Sequence, residues 1–400
     1  MMIKGGLAIT RYTLTSAFGR GLAAQRAGLM SGRSMLTAHN LADETACMIG
    51  RVAGLEEVVL PAALARYDCR NNRLARLALD TDGFAQAVGA AVRSLGAERV
   101  GVVIGTSTSG IAATEAAYRA PAFKERGALA GDFPYRETHN VFSCGDFVRR
   151  YLCVKGPALV VSTACSSGAK AFAAGARLIA SGVCRAVVVG GVDSLCDTTL
   201  YGFHALNLLS RANPRPFDAD RDGIAIGEAA GFALMMSAED SGESRGLRLV
   251  ATGDSADAYH MTAPHPEAHG ACAAIEATLK GAGFAPEAVD YIHLHGTGTV
   301  HNDAAEDMAL ARMGLAAVPA SSTKGAIGHT LGAAGMCGVA LTAEAMAAGF
   351  LPGTVATRAL DPRFRSHLLL SAEPGPIRRA LVNTFGFGGS NCCLALEWRP

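Results

Sequence analysis

The sequence predicts an α/β protein whose two halves repeat one plan, and three observations carry that prediction. Short apolar runs alternate along the chain with Ala/Gly-rich stretches of helical length, the pattern of layered α/β proteins. Several runs, among them residues 100–105, 158–161 and 186–190, are continuously apolar, as strands covered on both faces are. Finally, one unit occurs twice, at residues 162–182 and 321–335: a Ser/Thr loop, then a small-residue helix with one reactive-type side chain near its start.

Taken in order, residues 7–13 read as a first strand, followed by Gly/Ala-rich helix and loop to about residue 50. Arg66, Arg70 and Arg73 share a face if their segment is helical, either as a solvated surface or as a patch for an acidic partner. Residues 100–105 form a buried strand running into the loop 106–110, whereas residues 111–155 read as irregular, an insertion at a surface or subunit contact. Residues 158–161 read as a fully buried strand that stops at Ser162-Thr163. The helix to about Gly182 follows, with Cys165 at the turn between them. There the helix dipole and unpaired N–H groups favour a thiolate and a developing oxyanion. Residues 186–190 are a further strand, closed by Gly190-Gly191-Val192-Asp193, and residues 232–236 another, after a charged loop at 215–223. The polar stretch 237–246 is the best boundary, dividing the chain into 1–240 and 241–400. In the second half residues 249–252 and 289–294 read as strands, 271–282 as a helix, and 381–397 as a closing strand pair. The two small-residue helices are expected to pack back to back at the centre.

Composition excludes several classes. With 400 residues, 50% of them hydrophobic, the chain can bury a large core, and a net charge of +1 is not that of a nucleic-acid binder. Eleven cysteines, an odd number without a CxxC pair, point to a reduced, cytoplasmic chain with neither a disulfide framework nor a metal site. No uncharged apolar run approaches the ~18 residues of a membrane span, and the first residues do not read as a signal peptide.

A buried cysteine is by default a small core hydrophobe. Cys165 departs from that default because His295 and His329 stand at comparable element ends in the other half, with Lys324, Asp303 and Glu306 close by in sequence. For these charged residues the plainer alternative is a buried scaffold that holds loops in place.

The motifs carry a resemblance. Thr163-Ala164-Cys165-Ser166-Ser167, Arg215-Pro216-Phe217-Asp218 with Arg221-Asp222-Gly223, and the run from Asp257 to Pro264 come first. His295-Gly296-Thr297-Gly298-Thr299, Thr323-Lys324 with Gly328-His329, and Asn383-Thr384-Phe385-Gly386-Phe387-Gly388-Gly389 complete the series. In this order the chain resembles the β-ketoacyl-[acyl-carrier-protein] synthases of the decarboxylating Cys-His-His type. The resemblance implies a thiolase-like duplicated fold, five layers α-β-α-β-α with two pseudo-symmetric halves. It implies that Cys165 takes an acyl group from a carrier-protein thioester, and that His295 and His329 hold the malonyl thioester carbonyl as CO2 leaves. Lys324, paired with Glu306 and supported by Asp303, orders the site. The N–H groups of Cys165 and Phe385 form the oxyanion hole, and the Phe385 ring is the gate. Thr262, Thr297 and Thr299 bind pantetheine, with no cofactor or metal required. The implied partners are an acyl carrier protein and a second subunit, as a homodimer or as a heterodimer with a related ketosynthase or chain-length factor. Arg66, Arg70, Arg73, Arg149, Arg150 and Lys155 are candidate contacts for an acidic carrier.

Relatives are separated by residue type. A degradative thiolase carries a second catalytic cysteine where this chain has Gly386-Phe387-Gly388-Gly389-Ser390, and CoA-primed synthases carry Asn in place of His329. A non-catalytic chain-length-factor-like subunit would have lost one of the three reactive residues. Val300, Gly298, Ile224 and Ala229 depart from the family's usual Pro, Ser, Phe and Gly. Arg70-Asn71-Asn72-Arg73, the loop 105–110 and the run 259–266 bring the chain closer to aryl-polyene synthases than to housekeeping fatty-acid enzymes.

Overall fold

The computed structural model describes residues 1–41 and 45–400, apart from the side chain of Lys4. Among the described residues, ten strands build the main sheet. They are β1 (Met2–Ser16), β2 (Val100–Gly105), β3 (Ala158–Val161), β4 (Ala186–Asp193), β5 (Ala229–Ser237), β6 (Gly246–Ala256), β7 (Tyr291–His293), β8 (Ala320–Ser321), β9 (Arg379–Gly386) and β10 (Ser390–Arg399). The two-residue strand Gly19–Arg20 adds an eleventh, beside β1. The order is β8-β7-β9-β10-β6-β1-β5-β4-β2-β3. Read outward from the β1–β6 junction, both halves run first, fifth, fourth, second, third in chain order. In each the fifth strand (β5 or β10) is antiparallel to its neighbours and the others are parallel. The duplication inferred from sequence pattern is thus visible in topology.

Side-chain alternation sorts the layers. On β2, Val100, Val102 and Ile104 face an outer layer with helix α1 (Arg70–Leu79), while Val103 faces inward. On β10, Cys392, Leu394 and Leu396 face inward; Cys393 and Ala395 face an outer layer with α3 (His269–Ala282) and α4 (Val300–Arg312). Adjacent Cys392 and Cys393 therefore belong to different layers, and all eleven cysteines are free. Between the half-sheets lie α2 (Ser167–Ala180) and α5 (Ala334–Ala348), in one apolar cluster with strands of both halves. The result is the five-layer α-β-α-β-α arrangement.

The back-to-back packing of α2 against the start of α5 depends on absent side chains. A Cβ on Gly168 would lie 2.7 Å from Gly332 O, and one on Gly335 only 2.3 Å from Ala169 N. Gly105, at the end of β2, meets Gly168 N at 2.4 Å in the same sense, so the head of α2 sits directly on the sheet.

Several local expectations need correction. β3 is not fully buried: it is the edge strand beyond β2, and Leu159 is 44% exposed. Residues 111–155 are mostly ordered as three helices, Ile111–Arg119, Pro121–Arg126 and Phe142–Tyr151. Arg66 lies in the last turn of a 3-10 helix, Ala62–Tyr67, and is not on the helix of Arg70 and Arg73. Among the described residues one helical stretch, Leu331–Ala348, is long and apolar enough to cross a membrane, but it is the central core helix and 89% buried.

Candidate active site

Cys165 sits on a strained elbow. Ala164 before it takes a left-handed φ of 51°, a conformation costing a non-glycine residue roughly 1 kcal/mol or more. Ser167 brackets the turn, accepting from Thr163 N–H at 2.9 Å and donating to Ala164 O at 2.6 Å. The cysteine, 5% exposed, is thereby held just before the first residue of α2.

From the other half come two imidazoles. His329 Nε2 lies 2.9 Å from Cys165 Sγ, the His295 and His329 rings meet edge to face at 5.3 Å, and one donor atom from each of the three residues falls within 4.8 Å of the others. Leu331 N–H donates to His329 Nδ1 at 3.2 Å. That bond uses the Nδ1 lone pair and leaves the proton on Nε2, so His329 presents N–H to the sulfur side of the cavity. By distance the trio would accommodate a soft metal ion, but a ligand nitrogen needs a lone pair, and this tautomer places a proton there. Burial first, and then the charge of Lys324, hold both imidazoles well below the ordinary histidine pKa, so both are neutral donors.

The charged residues act on the loop around His295. Glu306 accepts from the N–H groups of His295 (2.8 Å) and Gly296 (2.7 Å) and from Asn383 Nδ2 (3.1 Å), while Lys324 Nζ donates to His295 O. The two meet through this peptide segment. Asp303 accepts from Thr297 N–H at 2.9 Å, Gly298 N–H at 3.1 Å and Phe217 N–H at 2.8 Å. For Asp303 and Glu306 the scaffold reading is the one the contacts support. Arg221 makes a buried ion pair with Asp361 at 2.8 Å, so this arginine of the Arg215–Gly223 motif is framework as well.

The nucleophile's electrostatics differ from expectation. Burial pushes the Cys165 thiol up, to about 11 even with Lys324, the N–H of Phe387 and its own N–H pulling it down. The second N–H at the sulfur therefore belongs to Phe387, not to Phe385. Phe385 is 8% exposed, pairs with Asn391 across the β9–β10 hairpin, and stacks edge to face on His295 at 6.0 Å. Phe387 lies on the turn beyond it, with its ring 5.5 Å from that of Phe203. Two aromatics two residues apart in sequence gave no signal as to which would face the sulfur; the hairpin turn decides it.

These groups open onto a cavity of about 470 Å³, lined by Cys165, His295, His329, Phe203, Phe385 and Phe387 and by all three threonines, Thr262, Thr297 and Thr299. Ile224 and Val300 also line it, so two of the departures from the usual motif lie where they shape it. None of the six cations nominated for docking lines it. Each is ion-paired: Arg66 with Glu137, Arg70 with Glu228 and Glu56, Arg73 with Asp68, Arg149 and Arg150 with Asp146, and Lys155 with Glu98. Arg70 in particular, bound to the fully buried Glu228 at 2.6 Å, is structural. Sequence reasoning also missed Asp193, which takes N–H bonds from Ser107, Thr108 and Gly332 and ties the end of β2 to the start of the central helix. Its only signal was the tight Gly190-Gly191-Val192-Asp193 close.

Comparison with known proteins gives one answer. Residues 72–241 match the family model "Beta-ketoacyl synthase, N-terminal domain" and residues 248–358 the model "Beta-ketoacyl synthase, C-terminal domain". The chain is 32% identical over 328 residues to 3-oxoacyl-[acyl-carrier-protein] synthase 2 of Vibrio cholerae, covering 77% of this chain and 78% of the relative. It is 33% identical over 308 residues to Nodulation protein E of Rhizobium meliloti, covering 75% of each. Among solved structures it is similar to the ketosynthase ApeO in complex with its chain length factor ApeC from Xenorhabdus doucetiae. That match has a TM-score of 0.90 and 34% identity, and covers 98% of each chain.

Proposed function

This chain belongs to the β-ketoacyl synthase family, and from that premise we propose residue roles for the reaction its site performs. The reaction is decarboxylative Claisen condensation. An acyl group held on Cys165 is joined to malonyl-[acyl-carrier-protein], giving a 3-oxoacyl thioester two carbons longer. The observation that carries this reading is the convergence of Cys165, His295 and His329 on one cavity.

Cys165 Sγ, as thiolate, attacks the acyl thioester while the N–H groups of Cys165 and Phe387 take the developing oxyanion. The adduct then collapses with loss of the carrier's pantetheine thiolate, which takes up from solvent the proton that Cys165 released. The malonyl arm then enters along Thr262, Thr297 and Thr299, and its thioester oxygen faces the neutral imidazoles. As the bond to the carboxylate breaks, the electron pair moves into the carbonyl, and the N–H donors stabilise the enolate. The enolate carbon attacks the acyl-Cys165 carbonyl and the thiolate leaves. Lys324, Glu306 and Asp303 hold the His295 loop in place for this step, and the Phe387 ring serves as the gate. Substrates travel on the phosphopantetheine of an acyl carrier protein. The chain works with a second, related subunit, and the exposed edge of β3 is our candidate for that contact. Residues 1–240 and 241–400 are the two functional halves, one bringing the nucleophile and the other the imidazoles. The eleven free cysteines support a cytoplasmic setting. The aryl-polyene assignment rests on the sequence motifs named above.

Retention of all three reactive residues speaks against a non-catalytic chain-length-factor role. The test is intact-mass analysis with a panel of acyl-carrier thioesters. The wild-type protein should gain one acyl mass and Cys165→Ala none, and the accepted primers name the pathway. A wild-type protein that never gains mass refutes the enzyme reading.

A further inference from the structure

The Phe387–Gly389 turn carries both an oxyanion N–H and the ring over the cavity, so whatever holds the turn controls the chemistry. On one side Asp257 N–H donates to Gly389 O at 2.9 Å and Gly388 N–H to Met261 O at 2.8 Å. On the other side the turn is held by side chains of the nucleophile's own segment. Lys170 Nζ donates to Ser390 Oγ at 2.6 Å, and Ser166 Oγ lies 3.1 Å from the same oxygen. Ser166 follows Cys165 directly, and Lys170 is four residues further, above it on one helix face.

Lysine is a costly choice at this place. A cation near a helix N-terminus is opposed by the macrodipole, and Lys170 is half-buried rather than solvated. An ammonium group has donors only, so Ser390 Oγ must accept from it, which fixes the direction of the relay. The ammonium group is hydrogen-bonded to Ser390, at the end of the turn, so its effect is exerted through the turn.

We propose that Lys170 is a positioning residue: through Ser390 it latches the Phe387–Gly389 turn to the head of α2 and holds the Phe387 N–H at the Cys165 sulfur during acyl transfer. The inference rests on the condensing reaction proposed above, and its test has one arm that does not. Lys170→Met keeps the apolar stem and removes the donor. It should slow acylation of Cys165 about 10- to 100-fold at saturating acyl carrier, the range of a lost charge-assisted hydrogen bond. KM should stay within about threefold, because Lys170 does not line the cavity that receives the acyl arm. Lys170→Arg should recover most of the rate. Ser390→Ala should show the same loss, and the double variant little more, because both break one relay. Independently, amide hydrogen exchange across residues 386–389 should quicken about tenfold or more in Lys170→Met, since the turn loses the one charge-assisted bond that ties it to α2. Wild-type acylation rates in Lys170→Met, additive losses in the double variant, or unchanged exchange at the turn would each overturn the latch. If the wild-type protein takes no acyl group, the function reading fails while the exchange measurement still decides the latch.

Discussion

Burial works against the nucleophile at the scale of single residues. Lys324 and the two backbone N–H groups recover only part of what desolvation takes away, and the thiol, still near 11, is mostly protonated at neutral pH. Alkylation of Cys165 by iodoacetamide should therefore climb steadily with pH above 8 and still be rising at pH 10; a plateau at or below pH 8 contradicts this electrostatic account. His329 has the opposite task, that of a neutral donor locked by Leu331 N–H. His329→Ala should still acylate Cys165 yet lose about 100-fold or more in malonyl decarboxylation, the cost of one oxyanion donor, read by CO2 release in single turnover. Cys165, His295 and His329 were legible because each is a reactive residue type at an element end. Phe387 was not, because the direction of a backbone N–H belongs to the turn and not to the residue type.

Glycine does the decisive work at the element scale. Gly168→Ala drives a methyl group against Gly332 O and should destabilise the protein by about 1–3 kcal/mol in urea unfolding, the usual cost of overpacking. Gly202 is the contrast: it lies on the helix Asp197–Ala205, and a Cβ there would meet nothing within 4 Å. Gly202→Ala should therefore be neutral or stabilising by about 0.5–1 kcal/mol. Equal effects at the two sites would refute close packing as the reason for Gly168. The edge strand β3 carries a second expectation. Leu159→Asp, at an unpaired and exposed edge, should shift the assembly toward monomer in analytical ultracentrifugation if this edge meets the second subunit. An apolar run alone read as buried on both faces; edge or centre depends on which strands pair, and pairing is not a local property.

Across the whole molecule, the central layer links catalysis to stability. His293, His295 and His329 are all buried with their pKa values lowered, His293 to about 3, by burial first and Lys324 second. The unfolded chain takes up these protons from about pH 6.5 downward and the folded chain does not, so stability falls as pH drops through that window. Glu306, raised to about 7 by burial, acts in the opposite sense: folded, it keeps a proton the unfolded chain releases between its ordinary 4.5 and 7. Asp303, also raised by burial, adds to it in the same sense at lower pH, and the three imidazoles outweigh the two carboxyls. Tm should be lower at pH 5 than at pH 7.5, and the drop smaller in His293→Gln; a Tm that does not change with pH would contradict this balance.

The sequence by itself determined the alternation of strands and helices, the duplication and the three reactive residues that meet at the cavity. Each is written in local periodicity or residue type, and the order of the motifs did the rest. Only the tertiary structure decided that β3 is an edge, that Arg70 belongs to Glu228, that Phe387 rather than Phe385 faces the sulfur, and that Lys170 reaches Ser390 across 220 residues of chain. These are contacts between distant segments, and their energies depend on packing distance and direction, which no local pattern encodes.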